Sequence, residues 1–127
     1  MERVRLVHLR GTPVLRVDYS GLHDPAELQG VARHALARVR SHEGDPLLVL
    51  ADLTDVPHNL VTAAIMQQGV AESRSHVRAR AVVGLTPEAS GSFDVAAKLF
   101  GSPMARFDDE AAALEWLLQH APGKQEL

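Results

Sequence analysis

The chain predicts an α/β domain with a mixed β-sheet, an N-terminal antiparallel hairpin followed by β-α units in the order β-β-α-β-α-β-α-β-α. Three observations carry that expectation. Leu47 to Ala51 form an apolar run with no polar side to show to water, as a strand covered on both faces requires. Two short β-rich runs, Val4 to Leu9 and Val14 to Tyr19, precede it and are separated by Arg10-Gly11-Thr12-Pro13, turn chemistry of hairpin length. Beyond it, helical segments alternate with short β-rich ones, so each helix can join parallel strands by a right-handed crossover.

Taken in order, the second run sends Leu15, Val17 and Tyr19 to one side and Val14, Arg16 and Asp18 to the other. The first set should meet the helices. Asp24-Pro25-Ala26-Glu27 supplies an N-cap acceptor, a proline at the first helical position and a capping-box acid, so a helix starts there. Leu28, Val31, Ala32, Ala35, Leu36 and Val39 follow helical spacing, and Gly44 is a stop signal. After the central strand Asn59 can cap a second helix running towards His76. Its apolar residues (Leu60, Val61, Ala64, Ile65, Val70, Ala71) form no clean stripe, and Gly69 interrupts them. Ala79 to Thr86 reads as a strand closed by Pro87, and Ser90-Gly91-Ser92 as the opening of a helix on Phe93, Ala96, Ala97 and Phe100 stopped by Gly101. Met104 to Phe107 is a short strand. Asp108 is placed to cap a last helix whose Ala111, Leu114, Leu117 and Leu118 face inward, with Trp116 at the edge of that stripe.

With 127 residues the chain is long enough for one domain with a real core and too short for two. One domain over residues 1–121 and a loose tail over 122–127 are expected. The apolar fraction of 46% and charged fraction of 23% are ordinary for a soluble protein, and no apolar run reaches membrane-span length. The N-terminus, MERVRLVHLRG, carries charges throughout, which points away from a secretion signal and towards the cytoplasm. A net charge of −3 sets up no field that would collect nucleic acid, and Arg33, Arg38 and Arg40 read as the solvated side of a helix. Zero cysteines exclude disulfides, thiolate metal sites and thiol nucleophiles. The seven histidines show no pair at i, i+4 spacing, so no metal site is expected and no cofactor is implied.

The central LLVLADLTDV, the strand AVVGLT and the closing MARFDDEAAALEWL, in this element order, resemble the SpoIIAA-like proteins of the STAS group, bacterial relatives of anti-sigma-factor antagonists. The chain is also similar to single-domain proteins described as STAS/SEC14-like. The resemblance spans nearly the whole chain. It implies a non-enzymatic regulatory or binding role exercised on a protein partner, and the SEC14-like label adds an apolar ligand as the alternative. Many antagonists of the group carry a phosphorylatable serine in an Asp-Ser-Ser-Gly run before the second helix. This chain departs there, with Asp52-Leu53-Thr54-Asp55 followed by Val56-Pro57-His58-Asn59. Thr54 and Thr62 are then the hydroxyls left to carry such a switch.

In the expected topology all four helix N-termini fall at one edge of the sheet, where α/β folds keep their sites. Thr54, Asp55, His58, Ser90 and Ser92 gather there as a surface for a partner or for a small apolar or anionic ligand. Ser90-Gly91-Ser92 offers backbone N–H groups to an anion, while acids already occupy the starts of the first and last helices. A serine hydrolase is disfavoured because no Gly-x-Ser-x-Gly elbow is present. A receiver domain is excluded, since Ser20-Gly21 and Met104-Ala105-Arg106 stand where its acids and lysine would be. The rival surface is a sheet face carrying Val7, Val14, Arg16, Asp18, Arg80, Val82, Met104 and Arg106. Monomer and homodimer are equally compatible with the sequence.

Overall fold

A computed structural model describes residues 2–99 and 103–122. Strands β1 (Val4–Leu9) and β2 (Thr12–Asp18) pair antiparallel from Val4 opposite Val17 to Leu9 opposite Thr12. The turn between them is only Arg10-Gly11, both at positive φ (51° and 81°), the backbone that a two-residue hairpin needs. Then follow α1 (Pro25–Ser41), β3 (Leu47–Asp52), α2 (Leu60–Glu72), β4 (Val77–Val83), α3 (Pro87–Leu99), β5 (Met104–Phe107) and α4 (Glu110–Leu118). A single turn of 3-10 helix, Arg74–His76, leads into β4. The sheet order is β1-β2-β3-β4-β5, and every pair after the hairpin is parallel.

The central strand behaves as its composition demands. Leu47, Leu48, Val49 and Leu50 are all buried, Leu47 and Val49 on the α1/α2 side and Leu48 and Leu50 on the α4 side. Truncating either of the last two to alanine should cost about 2–5 kcal/mol. On the α4 side, Ala79 and Ala81 of β4 meet Ala113 and Leu117 with no exposure at all. Small residues on strand and helix let that helix lie close to the sheet. Arg16 Nε donates to Glu110 Oε1 at 2.6 Å, fixing the start of α4 to β2.

The opposite side is packed differently. α1 sends Leu28 and Val39 fully into the core beside Leu15, Val17 and Leu47, but neither α2 nor α3 has a fully buried residue among those described. α2 packs chiefly on α1, and α3 on β5, leaving space above the middle of the sheet.

Helix starts follow side-chain caps. Asp24 Oδ1 accepts from the Ala26 N–H at 3.1 Å with Pro25 first in the helix, and Asn59 Oδ1 accepts from Thr62 N–H at 2.9 Å. Each such cap is worth about 1 kcal/mol. α4 is capped by Asp109, one residue later than the sequence suggests, and buries Ala113 in place of the exposed Ala111. α3 departs more. It begins at Pro87, capped by Thr86 Oγ1 accepting from Ala89 N–H, and β4 ends earlier, at Val83. Ser90, Gly91 and Ser92 therefore lie inside the helix rather than opening it. Phe100, Gly101 and the tail from residue 123 onward, to which the sequence assigns an inward helix position, a helix stop and a loose end, lie outside the described residues.

The sheet face expected to be a rival surface does not exist as one face. Val14 is fully buried beneath α4, while Arg80, Val82 and Met104 face the helices α1 to α3. A register shift between Leu47 and Leu48 sets Leu47 opposite Val77 and Leu48 opposite Ala79, which turns the rest of β4 over relative to simple alternation.

Candidate functional site

The edge at which all four helices begin is knitted by backbone hydrogen bonds between successive strand exits. Tyr19 N–H donates to Asp52 O and Gly21 N–H to Thr54 O, both at 2.9 Å, and Leu53 N–H donates to Val83 O at 2.9 Å. Asp52 Oδ1 accepts from the Thr54 N–H at 3.0 Å and its hydroxyl at 2.7 Å, a local turn that holds the loop after β3. Asp55 follows at φ 58° and sets Oδ2 3.4 Å from His23 Nε2.

The sequence-derived residues divide at this edge. Thr54 and Asp55 are exposed on the outer loop with His23. His58, Thr62 and Ser92 reach the rim of a cavity that runs beneath α1, α2 and α3. Ser90 does neither: its N–H and hydroxyl both bond to Thr86 O, so Ser90-Gly91-Ser92 presents no free backbone cradle for an anion. Among the described residues no group of three or more His, Asp or Glu converges on a point.

The cavity measures about 190 Å³. Its floor is Leu15, Val17, Val49, Ala51 and Val82 of the sheet, and its walls are Ala32, Ala35, Leu36 and Val39 of α1, Ile65, Met66, Gly69 and Val70 of α2, and Ala89, Phe93 and Ala96 of α3. An apolar cavity of about 150 Å³ accepts a benzene-sized guest, so this one has room for a molecule on the order of ten heavy atoms. It is also the space that the unstriped α2 leaves open.

Tyr19 and Arg80, with the buried Ser73 beside Arg80, break the apolar lining from within. Tyr19, only 7% exposed, has its hydroxyl pushed up to about 12 by burial, with nearby Arg80 pulling the other way. Burial draws the Arg80 guanidinium down to about 10, opposed by Tyr19, and it stays a cation at neutral pH. Arg80 Nη2 donates to the Ser73 hydroxyl and, at 3.4 Å, to Val70 O near the end of α2. Arg80 Nε is sealed from water and has no hydrogen-bond partner among the described residues. A buried donor left in that state costs about 1–3 kcal/mol. The sequence puts Tyr19 on the side that meets the helices, as found, and Arg80 on the rival sheet face, and it marks neither as a site residue, although a charged residue among Ala79, Ala81, Val82 and Val83 was the available signal.

Comparison with known proteins supports the fold. No family model and no curated protein sequence matches the chain. Among solved structures it is similar to a protein of the DUF3478 family with a SpoIIAA-like fold from Shewanella loihica PV-4, with a TM-score of 0.64 and 15% identity over 90% of this chain and 91% of that one. It is also similar to an anti-sigma-factor antagonist (STAS) domain protein from Planctomyces limnophilus, with a TM-score of 0.59 and 18% identity over 91% and 97% of the two chains. The chain therefore has the SpoIIAA-like, or STAS, fold, as the sequence resemblance implies. No helix among the described residues is long and apolar enough to cross a membrane.

Proposed function

We propose that the chain is a non-enzymatic binding module of STAS-like fold that holds a small apolar molecule in the cavity beneath α1, α2 and α3. The observation that carries this reading is the cavity itself: about 190 Å³, walled by aliphatic side chains and lying where two helices bury nothing completely. Pockets of this character, apolar with a few placed polar groups, are where small ligands bind. The sequence favoured the outer edge for such a ligand; the cavity supports a place further in, with His58, Thr62 and Ser92 at its rim. Calorimetric titration with 1-octanol, a neutral probe of matching size, should give saturable binding at one site. Linear, unsaturable uptake would defeat the reading.

A second reading, a protein partner docking on the outer edge, is favoured by Leu60 and Val61. These two large apolar residues open α2 beside His58 and are 89% and 53% exposed. They join Thr54, Asp55 and His58 in a mixed apolar and charged surface suited to a regulated interface. Phosphorylation of Thr54 would add about −1.5 to −2 charges beside Asp52 and Asp55 and reshape that surface; Thr62, in the first turn of α2, is the other candidate. A partner retained by the native chain should be lost on Leu60→Asp with Val61→Asp while circular dichroism is unchanged. Retention by that variant would remove the edge from consideration. Phosphosite mass spectrometry on protein from its native cells tests the two threonines.

A further inference from the structure

Arg80 projects from the middle of β4 into a cavity that is otherwise aliphatic and aromatic, apart from hydroxyl, amide and imidazole groups. Among the described residues it is the one residue of the lining with a permanent charge, and no ion pair among them includes it. Its contacts with Val70 O and the Ser73 hydroxyl resemble a cap on the end of α2, a common task for arginine. That task engages Nη2 alone. It leaves Nε, a charged donor, buried and without an acceptor. A cation drawn into an apolar cavity needs an anion or a full set of acceptors, and the described residues of the lining supply no carboxylate.

We propose that the cavity's ligand is a monocarboxylate with a compact apolar body, whose carboxylate pairs with the Arg80 guanidinium where that residue lines the cavity while the body fills the space between α1, α2 and α3. This rests on the apolar-ligand reading above and adds the head group. A single cation matches a single negative charge, so a monoanion suits the site better than a doubly charged phosphate, which would leave one charge uncompensated in apolar surroundings. The hydroxyl of Tyr19, buried nearby and protonated at neutral pH, is a second donor within the same lining. The volume sets the size: octanoate, with about ten heavy atoms, is of the right order.

The test pairs octanoate with 1-octanol, alike in tail and different in charge, against the native chain and Arg80→Met. Charge-assisted hydrogen bonds in low dielectric are among the stronger ones, so octanoate should bind the native chain about tenfold or more tightly than octanol. Arg80→Met should erase that preference and leave octanol binding in place. Because Arg80→Met also removes the contacts to the end of α2, Ser73→Ala serves as the companion: it disturbs the same contacts, keeps the guanidinium, and should retain the preference. In the native chain the Arg80 guanidinium N–H resonances should move with octanoate and stay put with octanol. Equal affinity for the two probes, or a preference that survives Arg80→Met, would overturn the head-group proposal and leave the apolar site standing. Failure of both probes to bind would overturn the two together.

Discussion

Gly84 passes so close to Thr54 that a Cβ at position 84 would lie 2.6 Å from the Thr54 nitrogen and 2.8 Å from its Cα. The contact joins the exit of β4 to the loop after β3. Gly84 also sits at φ +84°, a conformation that costs a residue with a side chain about 1–2 kcal/mol. Both effects penalise any substitution, and backbone atoms cannot swing aside as a side-chain tip can. Gly84→Ala should therefore destabilise the chain by more than about 2 kcal/mol in chemical denaturation. An unchanged midpoint would show that the two loops separate without cost.

Trp116 occupies the margin of the α4 core. It is partly buried, its ring centroid 5.6 Å from that of Phe107 and 4.4 Å from that of His120. A wholly buried tryptophan cut to alanine costs on the order of 3–5 kcal/mol; partial exposure here reduces that to about 2–3 kcal/mol. Trp116→Ala should lower the melting temperature by roughly 10 °C. A shift of under about 2 °C would mean that the ring contributes little to the core.

Acid sensitivity should be traceable to Asp18. Burial alone would raise its carboxyl, but hydrogen bonds from the Ser20 hydroxyl and N–H, with the charges of Arg3 and Arg16, outweigh it and hold the group below its ordinary range. A depressed folded-state pKa stabilises the fold above the unfolded value, and that contribution is lost as pH falls through the folded one. Stability should thus decline below about pH 4. Asp18→Asn should flatten that part of the denaturation-against-pH curve. An identical slope in the variant would assign the acid loss to other groups.

Much of the architecture was legible because single residues forced it. Leu47 to Leu50 could not face water on either side, and Asp24-Pro25 could only begin a helix. Thr86-Pro87 is the same signature and was obscured by the apolar run before it, which made Thr86 look like the end of a strand and pushed the start of α3 onto Ser90-Gly91-Ser92. The cavity was hidden for a deeper reason. The missing apolar stripe of α2 reads in sequence as a weak helix, whereas it belongs to a helix held off the sheet with half-buried residues over an open space. Arg80 and Val82 do alternate with Ala79, Ala81 and Val83 as a simple strand would, but alternation alone does not say which of the two faces meets α1 to α3, and the sequence assigned Arg80 to the rival one.

That open space makes a last expectation possible, using two glycines in helices. Gly30 of α1 and Gly69 of α2 each have nothing within 4 Å of where a Cβ would be. Both lie inside helices, where glycine costs about 0.8–1 kcal/mol relative to alanine, so alanine at either position should stabilise the fold by about that amount. Their surroundings differ: Gly30 is exposed on the outside of α1, while Gly69 lines the cavity. A methyl group at 69 takes room that a guest needs, and one at 30 does not. Gly69→Ala should raise the melting temperature and weaken 1-octanol binding severalfold, and Gly30→Ala should raise the melting temperature and leave the binding as it was. Unaltered octanol affinity in Gly69→Ala, with the stability gain present, would place the guest away from this stretch of α2.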